Sequence, residues 1–192
     1  MLGGLEEVHE ADIELSRVFL TNILHDQGSP CTRAVDCGAG IGRVTRHLLL
    51  PLFTSVDLVE QCQKYIEAAQ MYVNSPKAGT YFSMGLQDFT PEPALYDAIW
   101  VQWVLPYLPD EDLVDFLKRA KAGLTESGVV FVKENIQEKG FFLHKDDYSV
   151  TRSERMYQRL FARAGLRVIG KTTQTGFPED LYPVKLWALR PN

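Results

Sequence analysis

The chain has 192 residues, of which 45% are apolar and 23% charged, with 14 glycines and 10 prolines. This composition is typical of a globular protein, excludes a disordered or collagen-like chain, and suits a single domain over residues 1–192. Twenty Lys and Arg stand against 25 Asp and Glu, which gives a net charge of −5. Because nucleic-acid binding needs clustered positive charge, the acidic balance favours a small molecule or a basic peptide as partner, with no direct nucleic-acid contact.

The cysteines and the N-terminus both predict a reduced, intracellular protein. Cys31, Cys37 and Cys62 are an odd number and lack the C-x-x-C spacing of a zinc or redox site. The first residues contain no apolar run typical of a signal peptide. The longest apolar stretch, 98–105, is interrupted by Gln102 and is far shorter than the ~20 residues of a membrane-spanning helix. We therefore expect no membrane partner.

Helical and strand patterns alternate along the chain. The opening segment places Leu15, Val18, Phe19 and Ile23 at the spacing of one buried helix face. Further helices are predicted over 43–50, 63–73, 110–124 and 151–164. Strands are predicted over 33–36, 53–59, 80–84, 96–101, 128–132, 166–169 and 184–189. This alternation predicts an α/β fold with a mostly parallel sheet covered on both faces, and the last two strands, with no helix between them, predict an antiparallel edge.

A glycine-rich turn, D-C-G-A-G-I-G-R, follows the first predicted strand from Asp36 to Arg43. Ligands of open parallel sheets bind beyond the carboxyl ends of the strands, where glycines allow a close approach of the backbone. Glu60 ends the second predicted strand, where an acid accepts hydrogen bonds from ribose hydroxyls. Dinucleotide folds usually show G-x-G-x-x-G. The spacing G-x-G-x-G, with an acid two residues ahead, favours S-adenosylmethionine, which carries an amino-acid end and no phosphate.

A nicotinamide cofactor and a turn without any ligand are the alternatives for this loop. The glycine spacing and the lack of a Tyr-x-x-x-Lys pair argue against the first alternative, and Glu60 argues against the second. The histidines are scattered along the sequence, so we expect no metal site. They are His9, His25, His47 and His144.

Strings spread over the whole chain resemble the protein N-terminal α-amino methyltransferases, which act on Xaa-Pro-Lys N-termini. They are DCGAGIGR at 36–43, LLLPLF at 48–53, LQDFTPEP at 86–93, YDAIWVQW at 96–103, KEN at 133–135 and SVTR at 149–152. The resemblance implies a class I methyltransferase (Rossmann-like) fold with seven strands. It also implies S-adenosylmethionine as cofactor, S-adenosylhomocysteine as product, and up to three methylations of a free α-amine.

The resemblance implies cofactor-binding roles for seven matching residues. They are Gly38, Gly40 and Arg43 at the methionine end, Glu60 at the ribose, Leu86 and Gln87 at the adenine, and Gln102 at a further contact. A guanidinium is suited to the cofactor's carboxylate because it is a rigid bidentate donor. For Gln102 the alternative is a strand-end amide satisfied by neighbouring backbone.

Further matches imply the catalytic and substrate-binding residues. The catalytic set is Asp147 as general base, Asn135 holding the substrate amine, and Tyr107; the substrate-binding set is Trp103, Asn135, Asp146, Ser149 and Tyr182. An indole face at Trp103 suits the proline at substrate position two, because it offers a large apolar area at little entropic cost. For Trp103 the alternative is a core tryptophan, a role that Trp100 fits better. For Asp147 the alternative is a turn residue without a catalytic role.

The chain departs from the family at three places. Tyr107 stands where the family usually has a histidine, and a phenol with a pKa of ~10 is a poor base at pH 7. His144 and Lys145 stand where the family often has an acidic pair for the substrate lysine, so a lysine site here requires either that Asp146 substitutes or that the loop register differs. Family members also carry an aromatic segment ahead of the string at residues 1–4, and we expect a more open peptide channel here.

The resemblance implies a monomer that binds the N-terminal tails of substrate proteins in the nucleus and cytoplasm. Two other functions remain open from the sequence. One is a methyltransferase of the same fold that acts on a small molecule or another nitrogen. The other is a non-catalytic module that keeps the cofactor pocket, an interpretation that Tyr107 favours.

Overall fold

The computed structural model describes residues 6–192, and the string at positions 1–4 lies outside them. The α-helices of the described chain are α1 His9–Asp26, α2 Gln63–Val73, α3 Asp110–Ala122 and α4 Glu154–Arg163, and a π-helical segment, Thr45–Leu49, lies within the helix predicted over 43–50. Its strands are β1 Arg33–Cys37, β2 Ser55–Glu60, β3 Ala78–Ser83, β4 Tyr96–Gln102, β5 Leu124–Asn135, β6 Phe141–Leu143, β7 Val150–Arg152, β8 Leu166–Thr173 and β9 Val184–Pro191.

Seven strands form one sheet in the order β3-β2-β1-β4-β5-β9-β8. Strands β1 to β5 are parallel, while β9 runs antiparallel to both β5 and β8. The sheet agrees with the predicted mostly parallel architecture and its antiparallel edge. The strand order reverses between β1 and β4, and a ligand crevice is expected beyond the carboxyl ends of these two strands.

Buried apolar residues cover both faces of the sheet. On one face, α3 and α4 contribute Phe116 and Tyr157 to a core that includes Trp187. On the other face, α1 and α2 contribute Leu20 and Ala69 to a core with many residues of β1, β2 and β4. Near-continuous burial of β4 follows from this double cover, because a strand covered on both faces has no solvent side. Trp100 is fully buried, as predicted.

Two predicted helix boundaries are wrong. The helix predicted over 151–164 begins only at Glu154, because Val150–Arg152 pairs with Phe141–Leu143 as an antiparallel hairpin. Ser153 is extended at the helix N-cap. The helix predicted over 110–124 ends at Ala122, and Leu124 already begins β5. In both cases long-range strand pairing replaces a helix that the local pattern alone favours.

None of the helices within residues 6–192 is long and apolar enough to cross a membrane.

Candidate active site

The glycine loop leaves β1 and turns back toward the sheet at Gly38. This residue has a φ of +79°, a left-handed conformation that side chains rarely adopt. Its amide donates to the carbonyl oxygen of Val59 at 2.8 Å. A Cβ at Gly38 would lie 2.7 Å from Cβ of Val104. Both the backbone conformation and the neighbouring chain therefore require glycine here.

Asp36 ties the loop to the helical segment that follows it. Its Oδ2 accepts hydrogen bonds from the amide of Thr45 at 3.0 Å and from the Thr45 hydroxyl at 2.7 Å. Burial raises the pKa of Asp36 to about 6, and the bonds from Thr45 oppose that rise. The acid ahead of the glycines thus orders the turn rather than facing the crevice.

Glu60 joins the end of β2 to the glycine loop. One carboxylate oxygen accepts from the amide of Gly40 at 3.0 Å, and the other accepts from the amide of Cys62 at 2.9 Å. A carboxylate has about four lone-pair sites, so each oxygen can accept a further hydrogen bond. The carboxylate is therefore fixed in place and still able to accept from a sugar hydroxyl.

A cleft of about 100 Å³ lies beside Glu60 at the carboxyl ends of β1, β2 and β4. Predicted cofactor residues and apolar side chains line it together. Its lining includes Gly38, Glu60, Met84, Leu86, Gln87, Val104 and Tyr107. The chemistry of this lining fits S-adenosylmethionine, since an acid suits the ribose hydroxyls, and apolar side chains with an amide suit the adenine. The cleft thus brings together four of the seven predicted cofactor-binding residues: Gly38, Glu60, Leu86 and Gln87. Gly40 is not part of the lining, but its amide donates a hydrogen bond to Glu60.

The remaining two predicted cofactor residues, Arg43 and Gln102, meet in a buried network around Asp12. Asp12 Oδ2 lies 2.7 Å from the Arg43 guanidinium, and Oδ1 lies 2.6 Å from Nζ of Lys133. Gln102 donates to the same Oδ1 at 2.9 Å, and its carbonyl oxygen accepts from the indole of Trp100 at 3.0 Å. Burial lowers the pKa of Lys133, and the Asp12 charge opposes that shift. The amide of Gln102 is thus satisfied by side chains, not by backbone.

Arg43 contacts two aromatic side chains besides this network. Its guanidinium contacts Nδ1 of His9 at 3.2 Å and lies 5.8 Å from the centroid of the Trp103 ring. Two buried cations, Arg43 and Lys133, share the single carboxylate of Asp12. An additional anion at Arg43, such as the carboxylate of an amino acid, would balance this excess of positive charge.

A second cavity, of about 410 Å³, adjoins the cleft. Six predicted catalytic or substrate-binding residues line it: Trp103, Tyr107, Asn135, Asp147, Ser149 and Tyr182. Tyr107 belongs to the walls of both the cleft and the cavity. Four predicted cofactor residues and six predicted catalytic or substrate-binding residues therefore line two adjoining spaces. Asp146, the seventh residue predicted for these roles, is exposed and is not part of the cavity wall.

Asp147 and Tyr107 form a hydrogen-bonded pair at the cavity wall. The Tyr107 hydroxyl donates to Oδ2 of Asp147 at 3.2 Å, and the amide of Ser149 donates to Oδ1 at 3.0 Å. The bonds from Ser149 and then Tyr107 lower the pKa of Asp147. Burial, followed by the charge of Asp147, raises the pKa of Tyr107. At neutral pH the carboxylate is a proton acceptor and the phenol is a neutral donor.

His144 occupies the cavity wall where the family often has an acid. Its Nε2 lies 2.9 Å from the Thr151 hydroxyl, and its ring packs edge-on against Tyr182, with a centroid distance of 6.0 Å. The neighbouring Lys145 is exposed. This part of the wall is therefore aromatic and polar, without a carboxylate at position 144.

Sequence reasoning missed two kinds of site residue. The ion pair between Asp12 and Lys133 connects α1 to β5 across more than a hundred residues. No local sequence pattern indicates that contact. Phe177 and Leu181 reach the cavity from the loop between β8 and β9. The only available signal was the nearness of these residues to quoted positions: Lys133 opens the KEN string, and Leu181 precedes Tyr182.

The sheet order, the glycine loop and the acid at the end of β2 define a class I S-adenosylmethionine-dependent methyltransferase. A methyltransferase of this cofactor class from Clostridium acetobutylicum shares the fold, with a TM-score of 0.75 at 14% identity over 98% of this chain and 93% of its own.

The chain belongs to the AdoMet-dependent proline di-methyltransferase family, whose model matches residues 1–190. It is 45% identical to the zebrafish (Danio rerio) N-terminal Xaa-Pro-Lys N-methyltransferase 1, over 99% of this chain and 87% of the relative. It is 44% identical to the Caenorhabditis elegans alpha N-terminal protein methyltransferase 1, over 100% and 83%. A SAM-dependent methyltransferase structure from Leishmania major superposes with a TM-score of 0.94 at 40% identity, covering 98% of this chain and 75% of the other.

Proposed function

We propose that this chain methylates the free α-amino group of protein N-termini that begin Xaa-Pro-Lys, with S-adenosylmethionine as the methyl donor. The activities for which its relatives at 40–45% identity are named support this substrate. The observation that carries the proposal is the Asp147–Tyr107 pair on a cavity that adjoins the cofactor cleft. A proton acceptor there faces the space where an amine meets a methyl donor.

The cofactor is assigned to the cleft and the adjoining network. Glu60 accepts from the ribose, the glycine loop at Gly38 and Gly40 lies against the amino-acid end, and Leu86 and Gln87 border the adenine. Arg43, whose guanidinium also pairs with Asp12, pairs with the carboxylate of the cofactor, and Gln102 supports the site through the same network. When bound, S-adenosylmethionine supplies an electrophilic methyl group on a sulfonium.

Asp147 is assigned as the general base. An ammonium has no lone pair, so the substrate amine must lose a proton before it can be methylated. An α-amine has a pKa of ~8, so its deprotonation at pH 7 costs only about 1 kcal/mol. A single ionised carboxylate is sufficient for that task. Tyr107 holds this carboxylate through its hydroxyl and stays protonated, which makes it an orienting group.

The other cavity residues position the peptide. The carboxamide of Asn135, at the end of β5, holds the substrate amine, and the Trp103 indole packs against the proline ring. Ser149 and Tyr182 border the backbone of the tail, and Asp146 accepts the lysine at position three from outside the cavity wall. Once these contacts are made, alignment of the amine with the methyl group supplies much of the remaining rate.

We also propose that the chain acts as a single domain and as a monomer, in the nucleus and cytoplasm, and without direct nucleic-acid contacts. The net charge of −5 supports a basic tail as the partner. Sedimentation equilibrium of the purified chain measures its mass in solution and so tests whether it is a monomer.

A matched peptide panel tests the proposed substrate. The chain is incubated with labelled S-adenosylmethionine and peptides that differ only in one feature: a free or acetylated N-terminus, or proline or alanine at position two. Label on the free Xaa-Pro-Lys peptide alone supports the proposal. Equal labelling of the acetylated peptide, or labelling of none of them by a chain that binds S-adenosylhomocysteine, would refute it.

A further inference from the structure

The strap, defined as Trp103–Leu108, forms the wall between the cofactor cleft and the peptide cavity. Trp103 and Tyr107 line the cavity, while Val104, Tyr107 and Leu108 line the cleft. Val104 also packs against Gly38 of the glycine loop. The position of this one short segment therefore sets how the two spaces meet.

The strap has a strained start. Trp103 has a φ of +53°, which a bulky residue adopts only when its surroundings enforce it. Its amide donates to the carbonyl oxygen of Lys133 at 3.1 Å. A short segment with such a backbone needs further anchors to keep its side chains in one place.

Glu134 supplies the anchor for the next two amides. It is fully buried, and its Oε1 accepts from the amides of Val104 and Leu105, both at 3.0 Å. Its Oε2 has no hydrogen-bond partner among residues 6–192. A buried carboxyl costs free energy, and here its hydrogen bonds serve only the strap.

Arg152 holds the same strap from the other side. Its guanidinium donates to the carbonyl oxygens of Leu105 at 3.1 Å and Leu108 at 2.7 Å, and it pairs with Asp110 at 2.8 Å. Glu134 thus accepts hydrogen bonds from two amides of the strap, and Arg152 donates hydrogen bonds to two of its carbonyl oxygens.

We propose that Glu134, with Arg152, is a positioning residue that holds Trp103 and Tyr107 in their peptide-binding places. Glu134 touches neither space directly, since it is absent from the lining of both. It acts through the strap, so its loss should weaken the use of the peptide more than the binding of the cofactor. This inference rests on the proposed function for its kinetic test, but not for its structural one.

The protonation state of the Glu134 carboxyl determines which substitution is conservative. Burial raises the pKa of Glu134 to about 8, while the amides of Leu105 and Val104 and the charge of Arg152 oppose the rise. Tyr157 and Tyr107 also face it, and the Glu134 charge raises the pKa of both. The carboxyl is therefore largely protonated at pH 7. Glu134→Gln keeps an oxygen for the two amides at equal size, whereas Glu134→Met keeps the size and removes the acceptor.

A matched control exists at the opposite end of the sheet. Asp97 is also a buried carboxylate, and its Oδ2 accepts from two consecutive amides, those of Thr32 at 2.7 Å and Arg33 at 3.1 Å. Asp97→Ala therefore removes the same kind of anchor without touching the strap. It separates loss of stability from loss of peptide positioning.

The kinetic test compares these variants at a temperature where all are folded by circular dichroism. Glu134→Met should raise the KM for an Xaa-Pro-Lys peptide by about tenfold, as for the loss of one buried hydrogen-bonded anchor. Its kcat should fall by less, and its Kd for S-adenosylhomocysteine should change by under about threefold. Glu134→Gln should restore the peptide KM, and Asp97→Ala should leave it unchanged. A peptide KM for Glu134→Met equal to that of Asp97→Ala would overturn the proposal.

Residue-resolved hydrogen exchange on the wild-type chain needs neither substrate nor mutation. The amides of Val104 and Leu105 should exchange far more slowly than those of the exposed residues Asp146 and Asp147. Exchange at the same rate as these exposed amides would overturn the proposal, even if Glu134→Met fails to fold. If the wild-type chain does not methylate the peptide, the proposed function fails while exchange still decides the role of Glu134.

Discussion

The Tyr107 hydroxyl donates a hydrogen bond of 3.2 Å to Oδ2 of Asp147 across the wall of the peptide cavity. We assign a different role to each of these two groups. In the proposed mechanism, the phenol keeps its proton and orients the carboxylate, and the carboxylate accepts the proton of the substrate amine. The expectation that Tyr107 orients rather than acts as a base is consistent with its raised pKa.

Replacement of Asp147 tests its proposed role as the general base directly. Asp147→Asn keeps the side-chain shape but removes the proton acceptor, so kcat should fall by ~10²–10⁴-fold. The Kd for S-adenosylhomocysteine should stay unchanged, because Asp147 lies outside the cofactor cleft. Steady-state kinetics and calorimetry measure both quantities. Asp115→Asn, an exposed carboxylate on α3 paired with Lys118, is the control and should behave as wild type. An unchanged kcat in Asp147→Asn would favour a different base or a non-catalytic chain.

Removal of the Tyr107 hydroxyl should have a smaller effect. Tyr107→Phe loses one hydrogen bond to Asp147 while the ring keeps its place, which corresponds to roughly 1 kcal/mol, or a few-fold in kcat. Since that bond helps to lower the Asp147 pKa, the acid limb of the kcat–pH profile should move to higher pH. A profile and a kcat identical to wild type would show that the contact has no role in turnover.

The main sheet and the cofactor cleft were predictable because their signals are local. Alternating apolar runs give the strands, and the glycine spacing with Glu60 identifies the crevice. The hairpin of β6 and β7 was not predictable from periodicity, since the helical spacing of Tyr157 and Leu160 does not show where the helix begins, and only pairing with a distant strand decides the conformation of Thr151. Asp12 was missed for the same reason.

The buried network around Asp12 should be costly to break. Asp12→Asn leaves Arg43 and Lys133 as buried cations without their shared anion, and removing one partner of a buried ion pair typically costs about 3–5 kcal/mol. Urea unfolding of Asp12→Asn against wild type measures the loss. A change below about 1 kcal/mol would mean that the cations are not held by Asp12, since surface substitutions usually fall within ~0.5 kcal/mol.

Glu134 should make the stability of the chain depend on pH. Its folded-state pKa of about 8 lies above the ordinary value of 4.5 for a glutamate, so the folded state holds a proton that the unfolded state releases. The stabilising contribution is complete below about pH 4.5 and is lost progressively as the pH rises toward 8, with a slope of at most ~1.4 kcal/mol per pH unit. Glu134→Gln should flatten the free energy of unfolding in this window. Parallel curves for the variant and wild type from pH 5 to 8 would contradict the assignment.

In the proposed reaction, the methyl group goes to a chain-terminal nitrogen. The most direct measurement is tandem mass spectrometry of one peptide that begins Xaa-Pro-Lys and carries a second, internal lysine, after incubation with the chain and S-adenosylmethionine. We expect methylation of the α-nitrogen alone, with both lysine side chains unmodified. Methyl groups on a lysine side chain, with the α-amine left free, would contradict it.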